Sequence, residues 1–189
     1  PHYASSEYVD KYRNASIPEW PNFQMDAPPM DLPQAVKRHP AYRSMKWEYY
    51  EEIIRHYYAM TTMIDAQIGR LIGELESTGE LENTVIIFAA DHGETLGSHA
   101  GLGDKGWHHY DEIQRIPFIV RLPESLRGEA GIGTRIASLV SLVDVYSTVL
   151  DLAGVEADAA GGQGLSLLPL IRDPGSGWRD AVGCEFWGL

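Results

Sequence analysis

At 189 residues, with 44% apolar and 22% charged side chains, the chain is long enough for one domain with a substantial core and has an ordinary globular composition. A formal charge of −12 argues against contact with nucleic acid, which needs clustered Lys and Arg, and against docking on an anionic membrane. No apolar run approaches the roughly 20 residues of a spanning helix, and a single cysteine, Cys184, excludes an internal disulfide while leaving the compartment open. The chain opens on Pro1-His2 without an initiator methionine, as expected of a processed chain or one cut from something larger. Residues 1–43 form a proline-rich loop segment after that Pro-His pair, because Pro18, Pro21, Pro28, Pro29, Pro33 and Pro40 rule out a long helix or a central strand. Tyr8, Tyr12, Trp20 and Phe23 are expected to pin this segment to the body at 44–189.

From about residue 44 to 77 the pattern is helical. Tyr50, Ile53, Ile54, Tyr57, Met60, Ile64, Ile68, Leu71, Ile72 and Leu75 recur at three- and four-residue spacing and mark one apolar face. Gly79 suits the helix exit, and Gly69 with Gly73 predicts close packing against a neighbour. Asp65 reads as a capping or buried hydrogen-bonding group rather than a catalyst. The uncharged run 84–90 predicts a strand buried on both faces. A second strand is expected over 116–122, a helix over 141–153 stopped by Gly154, a glycine-led turn into an apolar segment over 161–171, and a last strand over 181–187. This order of elements predicts an α/β fold.

The chemistry concentrates after the first strand. The carboxyl ends of strands in open α/β sheets are where ligands collect, and there stand Asp91, His92 and Gly93. Asp91 offers hard oxygen and His92 an imidazole nitrogen, so a cation is the first expectation. An oxygen-rich set favours calcium or magnesium, and a second imidazole favours zinc or manganese. Lys105 is an anion partner, a point charge suited to a sulfate or phosphate oxygen. The plainer readings give Glu94 a turn or cap role, His99, His108 and His109 places on the loop or rim, and Asp111 and Glu112 ion pairs with Arg115 or a part in orienting the loop. No Gly-rich phosphate loop, Gly-x-Ser-x-Gly elbow, His-Glu-x-x-His helix or cysteine pair is present, and adjacent Ser98 and His99 do not make a nucleophile and its base.

The series Asp91-His92-Gly93-Glu94, Leu96-Gly97-Ser98-His99, Gly101-Leu102, Lys105-Gly106, Tyr110-Asp111-Glu112 and Arg115-Ile116-Pro117-Phe118 resembles the C-terminal half of the sulfatase family, of the alkaline phosphatase superfamily. The likeness extends to Tyr57-Tyr58-Ala59, Asp65, Gly69-Arg70-Leu71, Leu81-Glu82-Asn83-Thr84, 141–148 and 164–170, with Ser147 where the family has proline. It implies part of an alkaline-phosphatase-like α/β/α sandwich with a mostly parallel central sheet, truncated on the N-terminal side. It also implies hydrolysis of a sulfate ester, of a small molecule or carbohydrate, to an alcohol and sulfate. Asp91 and His92 would be ligands of one divalent cation, calcium first, with Mg2+, Mn2+ and Zn2+ as alternatives. Lys105 would contact the sulfate oxygens, and His2 would assist the leaving group. The family's Cys/Ser-x-Pro/Ala-x-Arg nucleophile signature and its paired N-terminal aspartates are absent from these 189 residues, and Ala100 interrupts the usual His-Gly-Leu step. A C-terminal fragment inactive on its own is therefore expected, with an open sheet edge able to pair with another chain. The alternatives are a phosphonate or phosphate ester hydrolase of the same superfamily and a non-catalytic paralogue.

Overall fold

The proline-free stretch between Pro1 and Pro18 is where the N-terminal segment coils into helix α1 (Ser6–Tyr12), which the reading of 1–43 as loop alone did not foresee. The structure is a computed structural model and describes residues 4–24, 45–103, 105, 109–127, 131–155 and 163–185. After α1 come α2 (Trp47–Ser77), a 3-10 turn (Leu81–Asn83), β1 (Ile86–Ala89), the single turn α3 (Ser98–Gly101), α4 (Asp111–Gln114), β2 (Phe118–Arg121), α5 (Glu124–Arg127), α6 (Val143–Leu152) and α7 (Leu168–Arg172). Among the described residues β1 and β2 form a two-stranded sheet. The chain divides into two units, Pro1–Leu81 with Ile87–Ile119, and Glu82–Ile86 with Val120–Leu189.

In the first unit the aromatic residues of the N-terminal segment do pin it down. Ile17, Tyr50 and Ile54 form a buried cluster with Trp20, Phe23, Met45, Trp47 and Leu96 packed around it. Phe23 meets Trp47 and Tyr50 edge-on at 5.1 and 5.4 Å between ring centres, contacts that add about 0.5–1.5 kcal/mol each beyond burial. Polar groups fix the register of the segment along α2. Trp47 Nε1 donates to Ile17 O (3.1 Å), Arg55 Nε to Ala15 O (2.8 Å), and Tyr12 OH bonds Thr62 Oγ1 (2.6 Å). Helix α2 ends as its glycine predicts: Gly79, at φ 75°, lets Gly79 N reach Glu76 O and Glu80 N reach Leu75 O, satisfying two orphan carbonyls of the last turn.

Three expectations for this unit need correction. Every residue of β1 is half-buried rather than buried on both faces, and among the described residues only β2 pairs with it. A Cβ built on Gly69 or Gly73 would meet nothing within 4 Å, so the close packing predicted there is not found among the described residues. Ile64 and Leu71, on the same stretch of α2, are likewise exposed, as is Asp65.

The second unit inverts the expected face of α6. The helical spacing of Leu142, Val145, Tyr146, Val149 and Leu152 marks one apolar face, yet Leu142, Tyr146 and Val149 are exposed, Val145 and Leu152 are half-buried, and Asp144, Ser147 and Thr148 are buried instead. Hydrogen bonds explain the inversion. Asp144 accepts from Ser141 N (2.7 Å) and Leu165 N (2.9 Å) and pairs with Arg179. Ser147 Oγ donates to Gly164 O (2.8 Å), and Thr148 Oγ1 accepts from Leu167 N (2.9 Å). The segment leading into α7 is thus clamped on the polar side of α6, and Leu167, Leu168 and Leu170 are buried beside it. The strand expected over 181–187 is absent at 181–185, which have no regular structure, and residues 186 and 187 lie outside the described residues. Among the described residues no helix is long and apolar enough to cross a membrane.

Candidate functional site

Asp91 and His92 follow directly where β1 ends, so the direction of the strand delivers both side chains to one place. Their turn is held from the other side of the loop. Gly93 N donates to Ile113 O (2.8 Å) and Glu94 N to Glu112 O (3.1 Å), which fastens the turn to the backbone of α4. The approach is so close that a Cβ on Gly93 would stand 1.8 Å from Glu112 O, so no side chain fits there. Glu94 takes the turn role expected of it, its carboxylate accepting from Thr95 N at 3.0 Å.

The imidazole of His92 has its tautomer set by two neighbours. Its Nδ1 lies 2.7 Å from Gly93 O, which can only accept, and its Nε2 lies 3.0 Å from the Lys105 ammonium, which can only donate. Both contacts place the proton on Nδ1 and direct the Nε2 lone pair at Lys105, in an oriented ring whose Nε2 could serve as a ligand. Asp91 Oδ2 lies 3.5 Å from that Nε2, and the Asp91 side chain is 84% exposed. Two ligands at right angles around one ion, each roughly 2.0–2.4 Å from it, stand roughly 3 Å apart. Donor types and separation therefore fit two positions of a divalent cation. They are half a set: among the described residues no group of three or more His, Cys, Asp and Glu converges. Of the residues singled out in the sequence, Asp91, His92 and Lys105 are brought together, while His2, Asp104 and His108 lie outside the described residues.

Tyr57 of α2 belongs to the same neighbourhood, which helical periodicity alone did not reveal. Burial pushes its phenol up from the ordinary value, and the charges of Glu94 and then Asp91 add to the shift. His99 is more than a rim residue. Its Nε2 lies 3.1 and 3.2 Å from the two oxygens of Glu112, and its ring stacks on Tyr110 with centres 3.7 Å apart. Glu112 thus pairs with His99, and it is Asp111 that pairs with Arg115, at 3.6 Å. The partners are thirteen residues apart in sequence, a separation that carries no local signal. Ser98 Oγ is buried with no hydrogen-bond partner among the described residues, so no base stands ready to take its proton.

Burial pushes the Glu112 carboxyl up, but a bond from its own backbone and the contact with His99 pull it further the other way, and it ends below the usual glutamate value. A lowered acid contributes stability that is fully present above its unfolded value and is lost as pH falls through the folded one. Thermal melts between about pH 3 and 6 should accordingly lose part of their acid-side slope in Glu112→Gln; an unchanged slope would assign the acid sensitivity to other carboxylates.

A sequence profile of the family described as Sulfatase matches residues 1–155. The chain is 38% identical over 146 residues to an N-acetylglucosamine-6-O-sulfatase of Bacteroides thetaiotaomicron, covering 76% of this chain and 25% of that protein. Among solved structures it is similar to one determined in complex with its substrate D-glucosamine-2-N,6-O-disulfate, with a TM-score of 0.66, 27% identity, and coverage of 92% of this chain and 46% of that one. It is also similar to a phosphonate monoester hydrolase of Silicibacter pomeroyi, with a TM-score of 0.62, 30% identity, and coverage of 73% of this chain and 26% of that one. The chain spans about a quarter of the length of the curated relative it matches. These structures carry the alkaline-phosphatase-like fold, and a mixed helical chain with a small sheet agrees with part of that α/β domain.

Proposed function

Because the chain belongs to the sulfatase family, we propose that it supplies the C-terminal share of a sulfuric ester hydrolase that works with a divalent metal. The observation that carries this reading is the convergence of Asp91, His92 and Lys105 where β1 ends, with His92 Nε2 presented as a lone pair. Asp91 and His92 would hold the cation, calcium by the hardness of the carboxylate, and such a cation would supply Lewis-acid polarisation of the ester group. Lys105, beside His92 at 3.0 Å, would bind a sulfate oxygen and counter the negative charge that the leaving group and the sulfuryl oxygens share. His2 would donate a proton to the departing alkoxide as the sulfuryl group passes to the nucleophile of the family's Cys/Ser-x-Pro/Ala-x-Arg signature and from it to water, so the products are an alcohol and sulfate. The substrate is a sulfate ester of a small molecule or carbohydrate, a reading favoured by the sulfated sugar bound to the related structure.

Lys105→Ala in the full-length enzyme is expected to lower turnover of an aryl sulfate about 10²–10³-fold, the usual consequence of removing one group that stabilises a developing oxyanion. Steady-state assays showing less than a threefold loss would remove Lys105 from the site. The 189-residue chain by itself is expected to show no turnover, because it carries no Cys/Ser-x-Pro/Ala-x-Arg nucleophile signature. Hydrolysis by the purified chain that disappears in Lys105→Ala would overturn that expectation. The likeness to a phosphonate monoester hydrolase favours one second reading, an ester of phosphonate or phosphate. Parallel assays with sulfate and phosphonate monoesters of the same phenol separate the two.

A further inference from the structure

We propose that His99 and Glu112 form a clasp that positions the Asp91–His92 turn, an inference that rests on those two residues being the metal ligands. Glu112 acts in two directions at once. Its carboxylate holds the His99 ring at 3.1 and 3.2 Å, and its carbonyl accepts Glu94 N at 3.1 Å, with Ile113 O accepting Gly93 N beside it. The His99 ring also lies flat on Tyr110, the residue before α4, at an interplanar angle of 7°. Histidine 99 therefore grips α4 through two of its neighbours, and the carbonyls of α4 in turn hold the peptide that follows His92.

The other end of the clasp is anchored in the core. His99 and Ala100 adopt φ of 53° and 67°, in the left-handed region that non-glycine residues avoid, and Leu96 does so at 45°. Such conformations persist only where surrounding contacts over-determine them, and they cluster where geometry is under functional constraint. Here Ala100 N donates to Asn22 O (2.9 Å), and the buried Tyr50 OH donates to Gly101 O (2.5 Å). A continuous path of contacts thus runs from the aromatic core through a strained loop and the His99–Glu112 contact to the turn bearing Asp91 and His92. Neither His99 nor Glu112 touches a ligand itself; both are positioning residues, comparable to the outer partners that orient metal ligands elsewhere.

Calcium titration by calorimetry on the full-length enzyme tests this, with Asp91→Ala as reference. His99→Ala and Glu112→Ala should each weaken calcium binding about tenfold. The double variant should be no weaker than the worse single one, because both break the same clasp. Glu112→Gln should recover most of the affinity, since its amide oxygen still accepts from the ring. His99→Phe keeps the stack on Tyr110 and removes only the ion pair, so it carries the test where an alanine variant does not fold. A merely structural role would lower the thermal midpoint and leave the calcium affinity of the folded protein unchanged. That outcome, or losses that multiply in the double variant, overturns the clasp while Asp91→Ala still loses calcium. Calcium binding that survives Asp91→Ala overturns the ligand assignment and the clasp together.

Discussion

Gly93→Ala in the full-length enzyme is expected to lower sulfate ester hydrolysis on the order of 10²-fold, although the change adds a single methyl group. The new Cβ would be placed 1.8 Å from Glu112 O and 2.8 Å from the Glu112 carbonyl carbon. Both atoms are backbone and cannot rotate aside, so the turn itself has to move. Moving it breaks Gly93 N to Ile113 O and Glu94 N to Glu112 O, at about 0.5–1.5 kcal/mol each, in addition to about 1–3 kcal/mol for overpacking. The effect on activity has a cause of its own beside the effect on stability. Asp91 and His92 directly precede Gly93, and a displacement on the order of 1 Å in a catalytic constellation costs on the order of 10²-fold. Turnover and thermal midpoint measured together separate the two effects. A variant within about tenfold of wild-type kcat would mean that the turn and α4 are not coupled as the structure has them.

Asp144→Ala should be the most destabilising single truncation of the second unit. The Asp144 side chain has no solvent exposure and accepts from Ser141 N, Leu165 N and Arg179, whose own side chain is 19% exposed. Removing the carboxylate leaves two amides without acceptors and a largely buried guanidinium without its counter-charge, and breaking one partner of such a pair costs about 3–5 kcal/mol. Asp144→Asn keeps an acceptor oxygen but not the charge, so it should lie between wild type and alanine. The thermal midpoint of the full-length enzyme and its three variants, Arg179→Ala included, provides the measurement. If Asp144→Ala and Arg179→Ala each cost less than about 1 kcal/mol, the network is peripheral rather than the clamp that holds 163–168.

Asp144 also marks where sequence reasoning fails. The apolar periodicity of Leu142, Tyr146 and Val149 locates α6 correctly but points to the wrong inward face. Periodicity counts apolar groups and is blind to a buried carboxylate whose partners, Leu165 and Arg179, lie 21 and 35 residues away. Helix α2 is legible almost to the residue because its determinants are local: three- and four-residue spacing inside, and a glycine able to adopt positive φ at the exit. The strand over 181–187 fails for the opposite reason. Strand propensity is context-dependent, and 181–185 adopt no regular structure.

The sequence alone determined the family and the positions of α2, β1, β2 and α6, and it singled out Asp91, His92 and Lys105 as the candidate site, because residue type and short-range spacing carry all of that. Only the tertiary structure decided which nitrogen of His92 faces Lys105, that Glu112 pairs with His99 rather than with Arg115, and that Gly93 has no room for a methyl group. Each of these depends at least in part on contacts between groups 13 or more residues apart in the chain. Their geometry is set by how β1, the strained loop and α4 close on one another, which no window of sequence contains.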